Sequence, residues 1–165
     1  MNELRRIRSG PQPDEHAFVV RVHFLADDPV SVIERARDVL GRVIENMEPW
    51  PADEVWPQLL PPWFVQACAP ERPPDPSRDV AAWLAEWQAK TWAEKVAASR
   101  GRWRLSNWLY YFDPVDGEGD DRSWWWWDAA GSGPGAGWVD VATTGWPYGS
   151  GSLYWLIEAS GGVVS

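Results

Sequence analysis

The sequence predicts an α+β fold, a two-layer sandwich in which a small, mostly antiparallel sheet packs against helices. Three observations predict it. Residues 17–25, AFVVRVHFL, alternate, with Phe18, Val20, Val22 and Phe24 on one side and Val19, Arg21, His23 and Leu25 on the other, the period of a half-buried strand. Residues 30–47 carry Val32, Ile33, Ala36, Val39, Leu40, Val43, Ile44 and Met47 at helical spacing. RSWWWWDA (122–129) and GWVDVATT (137–144) are rich in strand-favouring side chains, and AAGSGPGAG joins them as a hairpin.

The first strand follows residues 1–16, which read as a flexible N-terminal tail; residues 17–165 read as a single α+β domain. The helix at 30–47 has a start and a stop. Asp27-Asp28-Pro29 supplies an acidic N-cap and a proline at the first helical position, and Glu48-Pro49 ends the run. Prolines are dense from 49 to 76, yet Trp50, Val55, Trp56, Leu59, Leu60, Trp63, Phe64 and Val65 are interleaved with them. That much apolar surface predicts short helical turns packed on the core, with only 70–76 an exposed loop.

Ser77 is placed to cap the next helix, where Val80, Trp83, Leu84 and Trp87 share a face, and Thr91-Trp92-Ala93-Glu94 has the pattern of a capping box. Leu105, Trp108, Leu109 and Phe112 fit a short helix that Ser106 would cap, although the aromatics of LSNWLYYF suit a strand as well. DPVDGEGDD (113–121) reads as an acidic turn. Gly149-Ser150-Gly151-Ser152 reads as a glycine hinge with a serine N-cap, leading into a closing helix that stops at Gly161-Gly162.

Composition bounds the function. A chain of 165 residues is long enough to bury one core without disulfides or structural metals, and its single cysteine, Cys68, allows no intrachain bridge. The basic N-terminus lacks the apolar stretch of a secretory signal, and no run reaches the ~18 apolar residues of a membrane span, so a cytoplasmic protein without a membrane partner is expected. A net charge of −9 repels phosphate backbones, and the arginines are dispersed, which argues against nucleic acid. Arg35, Arg37 and Arg42 lie among Glu34, Asp38 and Glu45 and read as a solvated helix face. A basic protein partner suits an acidic chain better.

Tryptophan is the unusual entry in the composition: 15, against 4 Tyr and 4 Phe. Indoles must therefore do much of the packing, and each buried one carries an N–H that needs an acceptor. The segments WFVQACAPE (63–71), WRLSNWLYYFDP (103–114), RSWWWWDA (122–129) and SGSLYWLIEASGG (150–162) resemble a family of uncharacterised tryptophan-rich proteins from high-GC actinobacteria. The resemblance covers about the C-terminal two thirds and implies neither an activity nor a cofactor.

No catalytic, metal-binding or cofactor-binding constellation stands out. His16 and His23 have no nucleophile-bearing motif beside them, and no G-x-S-x-G is present. Aligned as a calcium loop, DPVDGEGDD puts Asp121 where glycine is needed and Trp127 where a bidentate glutamate belongs. GSGS before the last helix lacks the lysine of a phosphate-binding loop.

The candidate binding residues are on the hairpin. With its loop centred near Pro134, Asp128 lies opposite Asp140, Trp126 opposite Ala142 and Trp138 opposite Ala130. Regular alternation then puts Trp125, Trp127, Val139 and Val141 on the core face, and Trp124, Trp126, Trp138, Asp128 and Asp140 on the other. Two like charges side by side destabilise a sheet, so Arg21 of the neighbouring strand or a cationic partner should compensate. This aromatic and acidic face, formed by Trp124, Trp126, Asp128, Trp138, Asp140 and Arg21, points to a non-enzymatic interaction module for a basic partner, in the manner of antitoxin or immunity proteins. Two alternatives stand beside it: a small-molecule or carbohydrate binder using exposed tryptophans, and a hydrolase using the two carboxylates.

Overall fold

The computed structural model describes residues 2–71, 79–98, 101–114 and 122–165. The fold is α+β. Its sheet is antiparallel with strand order β2-β3-β1-β4, where β1 is Val19–Leu25, β2 Trp124–Gly131, β3 Ala136–Thr143 and β4 Val163–Val164. Eight helices are formed among the described residues: α1 (Glu3–Ser9), α2 (Pro29–Asn46), α3 (Trp56–Leu59), α4 (Pro62–Ala67), α5 (Val80–Ala89), α6 (Trp92–Ala98), α7 (Leu105–Leu109) and α8 (Gly151–Ala159). No helix among these residues is long and apolar enough to cross a membrane.

The sequence sets the start of α2 by a side-chain bond. Asp28 accepts from the Ser31 N–H at 3.2 Å, and Pro29 fills the first turn, where no N–H is required. Its stripe of Val32, Ile33, Ala36, Val39, Leu40 and Val43 is buried against the inner face of the sheet, where Val22, Val139 and Val141 meet it. Burial of each such aliphatic side chain contributes about 1.5–3 kcal/mol to the two-layer packing. The polar side of α2 is not wholly solvated, as its arginines had implied. Arg42 pairs with Asp38 at 2.8 Å on the surface, but Arg35 lies 5.4 Å from the Trp63 ring and Arg37 5.9 Å from that of Trp126. Long aliphatic stems let these arginines cover indoles.

The proline-rich segment forms the expected short helices, α3 and α4, and sends Trp56, Leu60 and Phe64 into the core. Between α5 and α6 the capping box closes as its spacing demands: Glu94 N–H donates to Thr91 Oγ1 at 3.2 Å, and Thr91 N–H donates to Glu94 Oε2 at 3.1 Å. Asp79 caps α5; Ser77 lies outside the described residues, as do most of the loop expected at 70–76 and residues 115–121 of the acidic turn. LSNWLYYF is helical, as α7 and the turn after it, because Trp108, Leu109 and Phe112 all reach the core only with helical spacing. Ser106 does not cap it; Glu71 does, from a distant part of the chain. At α8, Ser150 makes no side-chain cap, and Ser152 instead takes two buried indoles: Trp124 Nε1–H donates to its Oγ at 2.9 Å and Trp108 Nε1–H to its carbonyl at 2.9 Å.

Two expectations at the sheet margins are corrected. Residues 1–16 are not simply a tail, because Glu3–Ser9 fold as α1, started by an Asn2 side chain that accepts from Arg5 N–H at 3.0 Å. Ile7 is buried, and so are Glu3 and Arg6, whose bonding to β2 is described below. Phe18, expected in the core, is 58% exposed because it precedes the first paired residue of β1, Val19. The two-residue β4 is too short to show a periodicity in sequence.

Gly137 marks a close approach. Phe24 is its cross-strand partner, and a Cβ at position 137 would stand 2.5 Å from the Phe24 ring, which is fully enclosed and also lies against Gly162. The ring has nowhere to swing. Gly137→Ala should therefore cost about 1–3 kcal/mol in the urea unfolding free energy, despite alanine's better strand propensity.

Candidate functional site

The sheet carries helices on its inner side, where α2 packs on β2 and β3 and α8 on β4. On its other side, three cross-strand rows run through β2, β3 and β1: Trp125–Ala142–Val19, Asp128–Asp140–Arg21 and Ala130–Trp138–His23. Of the six candidate residues, Asp128, Asp140, Trp138 and Arg21 are brought together here, and the expected pairs of Asp128 with Asp140 and Ala130 with Trp138 are formed.

Trp124 and Trp126 are not on this face. Both are fully buried, and they belong to the core with Ala129, Val139 and Val141. A β-bulge is the reason. Trp126 pairs with Val141 and Asp128 with Asp140, so Trp127 is an extra residue with no partner on β3. One inserted residue reverses the alternation on one side of the bulge only. Trp125, not Trp126, thus lies opposite Ala142, and the face assignments of the tryptophans 124–127 change while those of Asp128 and β3 stand. A sugar-stacking platform built on Trp124 and Trp126 is thereby removed.

The like charges are compensated from within. Arg21 donates to Asp140 through Nε at 2.8 Å and Nη2 at 3.0 Å, a bidentate fork, and its guanidinium sits 3.7 Å from the centroid of the Trp138 ring. The hydrogen bond to Asp140 holds the Arg21 guanidinium above its ordinary pKa. Asp128 accepts from the Ala129 N–H at 2.9 Å. With both oxygens of Asp140 engaged, the pair is not the free acid and base that a carboxylate hydrolase needs. His16 and His23 are both exposed. Among the described residues no group of three His, Cys, Asp or Glu side chains is arranged to hold a metal ion.

The face is open along β1 and β4. Arg21 and His23 are exposed, and Leu25 and its cross-strand partner Val163 are 54% and 63% exposed at one end of β1. The opposite edge, β2, is closed. Trp126 turns its backbone outward at the bulge, where its N–H donates to Glu3 Oε1 at 2.8 Å and its carbonyl accepts from Arg6 Nε at 3.1 Å. Arg122 Nε donates to the Trp124 carbonyl at 2.9 Å, and Arg122 also pairs with Glu3 in the interior. Burial pushes the Glu3 carboxyl above the usual range, against the pull of Arg122 and the Trp126 N–H.

Sequence reasoning missed Glu3, Arg6 and Arg122. A weak signal existed for the first two, since Asn2 followed by Leu4 and Ile7 has the spacing of a capped helix. Nothing local marks Arg122. Comparisons of the chain with protein-family models, with curated proteins and with solved structures give no match.

The reversed alternation has a direct thermodynamic signature. Trp126→Ala should cost about 3–5 kcal/mol in equilibrium unfolding, as deletion of a fully enclosed large side chain does, whereas Trp125→Ala, on the other face, should cost roughly 1 kcal/mol. Regular alternation predicts the reverse order.

Proposed function

We propose that the chain is a non-enzymatic interaction module that docks a basic protein on the open face of its sheet, in the manner of antitoxin or immunity proteins. The observation that carries this reading is the apolar pair of Leu25 and its cross-strand partner Val163, each more than half exposed on a sheet side where polar groups are the rule. Trp138 and the Asp128–Asp140 pair lie beside it. The net charge of −9 favours encounter with a cationic surface. Arg21 bears on the partner's chemistry as well, because a guanidinium already stacks on Trp138 and forks onto Asp140, while Asp128 makes no salt bridge among the described residues. A partner's cation would meet Asp128, and its apolar side chains Leu25 and Val163.

A cytoplasmic setting fits the reading, with the lone Cys68 buried. The sequence resemblance to tryptophan-rich actinobacterial proteins would add no activity to it.

Capture from lysate of the source cells, quantified by mass spectrometry, tests the proposal. Wild-type protein should retain a specific basic protein at low salt and release it at high salt, whereas Leu25→Glu and Asp128→Asn should each lose it while remaining folded. Retention of the same proteins by both variants, or of none beyond those held by an unrelated acidic control, would contradict it.

A further inference from the structure

A second part of the molecule, sharing no residue with the sheet face, is concave. Between the loop after α2, the end of α4 and α7 lies a cavity of about 650 Å³, a size typical of small-molecule sites. Its walls are braced from within. Arg102 turns its guanidinium onto the last carbonyls of α4, donating from Nε to Ala67 O at 3.0 Å and from Nη2 to Cys68 O at 2.6 Å. Glu71 accepts from the Ser106 N–H at 3.0 Å and the Ser106 hydroxyl at 2.6 Å, capping the start of α7. These bonds fix both sides of the cavity, so the space between them is preformed rather than a gap between loose segments.

What lines that space selects a ligand chemistry. Trp50 and Tyr110 offer aromatic surface; Trp50 is held against Trp56 with ring centroids 4.8 Å apart, and Tyr110 is 49% exposed. Asp53 and Asp113 join Glu71 in the lining, so three carboxylates stand with one guanidinium, that of Arg102, among the described lining residues. The Arg102 guanidinium is turned toward backbone carbonyls rather than into the space. Burial pushes the Cys68 thiol up to about 11, so this part of the wall is a neutral apolar surface at neutral pH and not a nucleophile.

We propose that this cavity binds a small organic cation, an amine or ammonium group joined to a flat apolar body. The flat body packs between Trp50 and Tyr110, and the charged end is drawn to the carboxylates at the rim. Anions of the same shape are repelled. This site stands or falls independently of the sheet-face reading, because the two have no side chain in common.

Isothermal titration calorimetry with three probes of one shape and different charge decides the matter: tryptamine (cationic), tryptophol (neutral) and indole-3-acetate (anionic). Tryptamine should bind about tenfold or more tightly than tryptophol, with indole-3-acetate the weakest, as expected when one charge-assisted contact separates them. Asp53→Asn should weaken tryptamine severalfold and leave tryptophol unchanged, whereas Tyr110→Ala should weaken both. Both positions are exposed, so the variants should fold, which circular dichroism checks. Equal affinity for the three probes, tighter binding of indole-3-acetate, no heat from any of them, or a tryptamine affinity that neither substitution changes would each overturn the proposal.

Discussion

One extra residue in β2 governs which side of the sheet each neighbouring side chain occupies. At Trp127 the strand bulges, and the ladder to β3 resumes one residue out of step. On one side of the bulge Trp124 and Trp126 turn inward and fill the core beside Val141; on the other, Asp128 stays outward beside Asp140. Without the bulge, two of the largest apolar side chains would lie in solvent or a carboxylate would lie in the core. Burying an unpaired carboxylate costs several kcal/mol, and leaving two indoles exposed forfeits a comparable amount. The bulge satisfies both demands at once.

A bulge leaves backbone groups without strand partners, and on an edge strand that is an invitation to aggregation. Here α1 answers it. Glu3 and Arg6, one helical turn apart, present an acceptor and a donor to the N–H and carbonyl of the same residue, Trp126. Buried charges of this kind are tolerable only in company, and Arg122 supplies it by pairing with Glu3 while donating to the Trp124 carbonyl. Residues 2–10 thus act as a closing strap for the sheet. Among the described residues the other margin has no such cover, and the contrast between a sealed edge at β2 and an apolar, solvent-facing margin at β1 and β4 is what gives the outer face a direction.

The α2 stripe and the hairpin register from Asp128 to Trp138 were legible in the sequence because each is a local periodicity with its own boundary residues, Asp28 and Pro29 in one case and the glycine-rich link in the other. The Thr91–Glu94 cap was legible for the same reason. Trp124 and Trp126 were misassigned because four identical side chains in a row carry no amphipathic phase, so nothing in WWWW reveals an insertion. Arg21 was anticipated as the counter-charge, since strand pairing alone puts it beside Asp140. The roles of Glu3, Arg122, Glu71 and Ser152 depend on contacts across dozens of residues, and no short-range pattern encodes them.

Amide hydrogen exchange at Trp126 tests the central claim most directly. Its N–H faces away from β3 and has Glu3 as its acceptor. Protection of this amide to the level of the β1–β3 ladder in the wild type, lost by about tenfold or more in Glu3→Ala while Val139 and Val22 remain protected, is what the bulge and its helical strap require. Exchange of Trp126 at the rate of an open strand edge in the wild-type protein would contradict them.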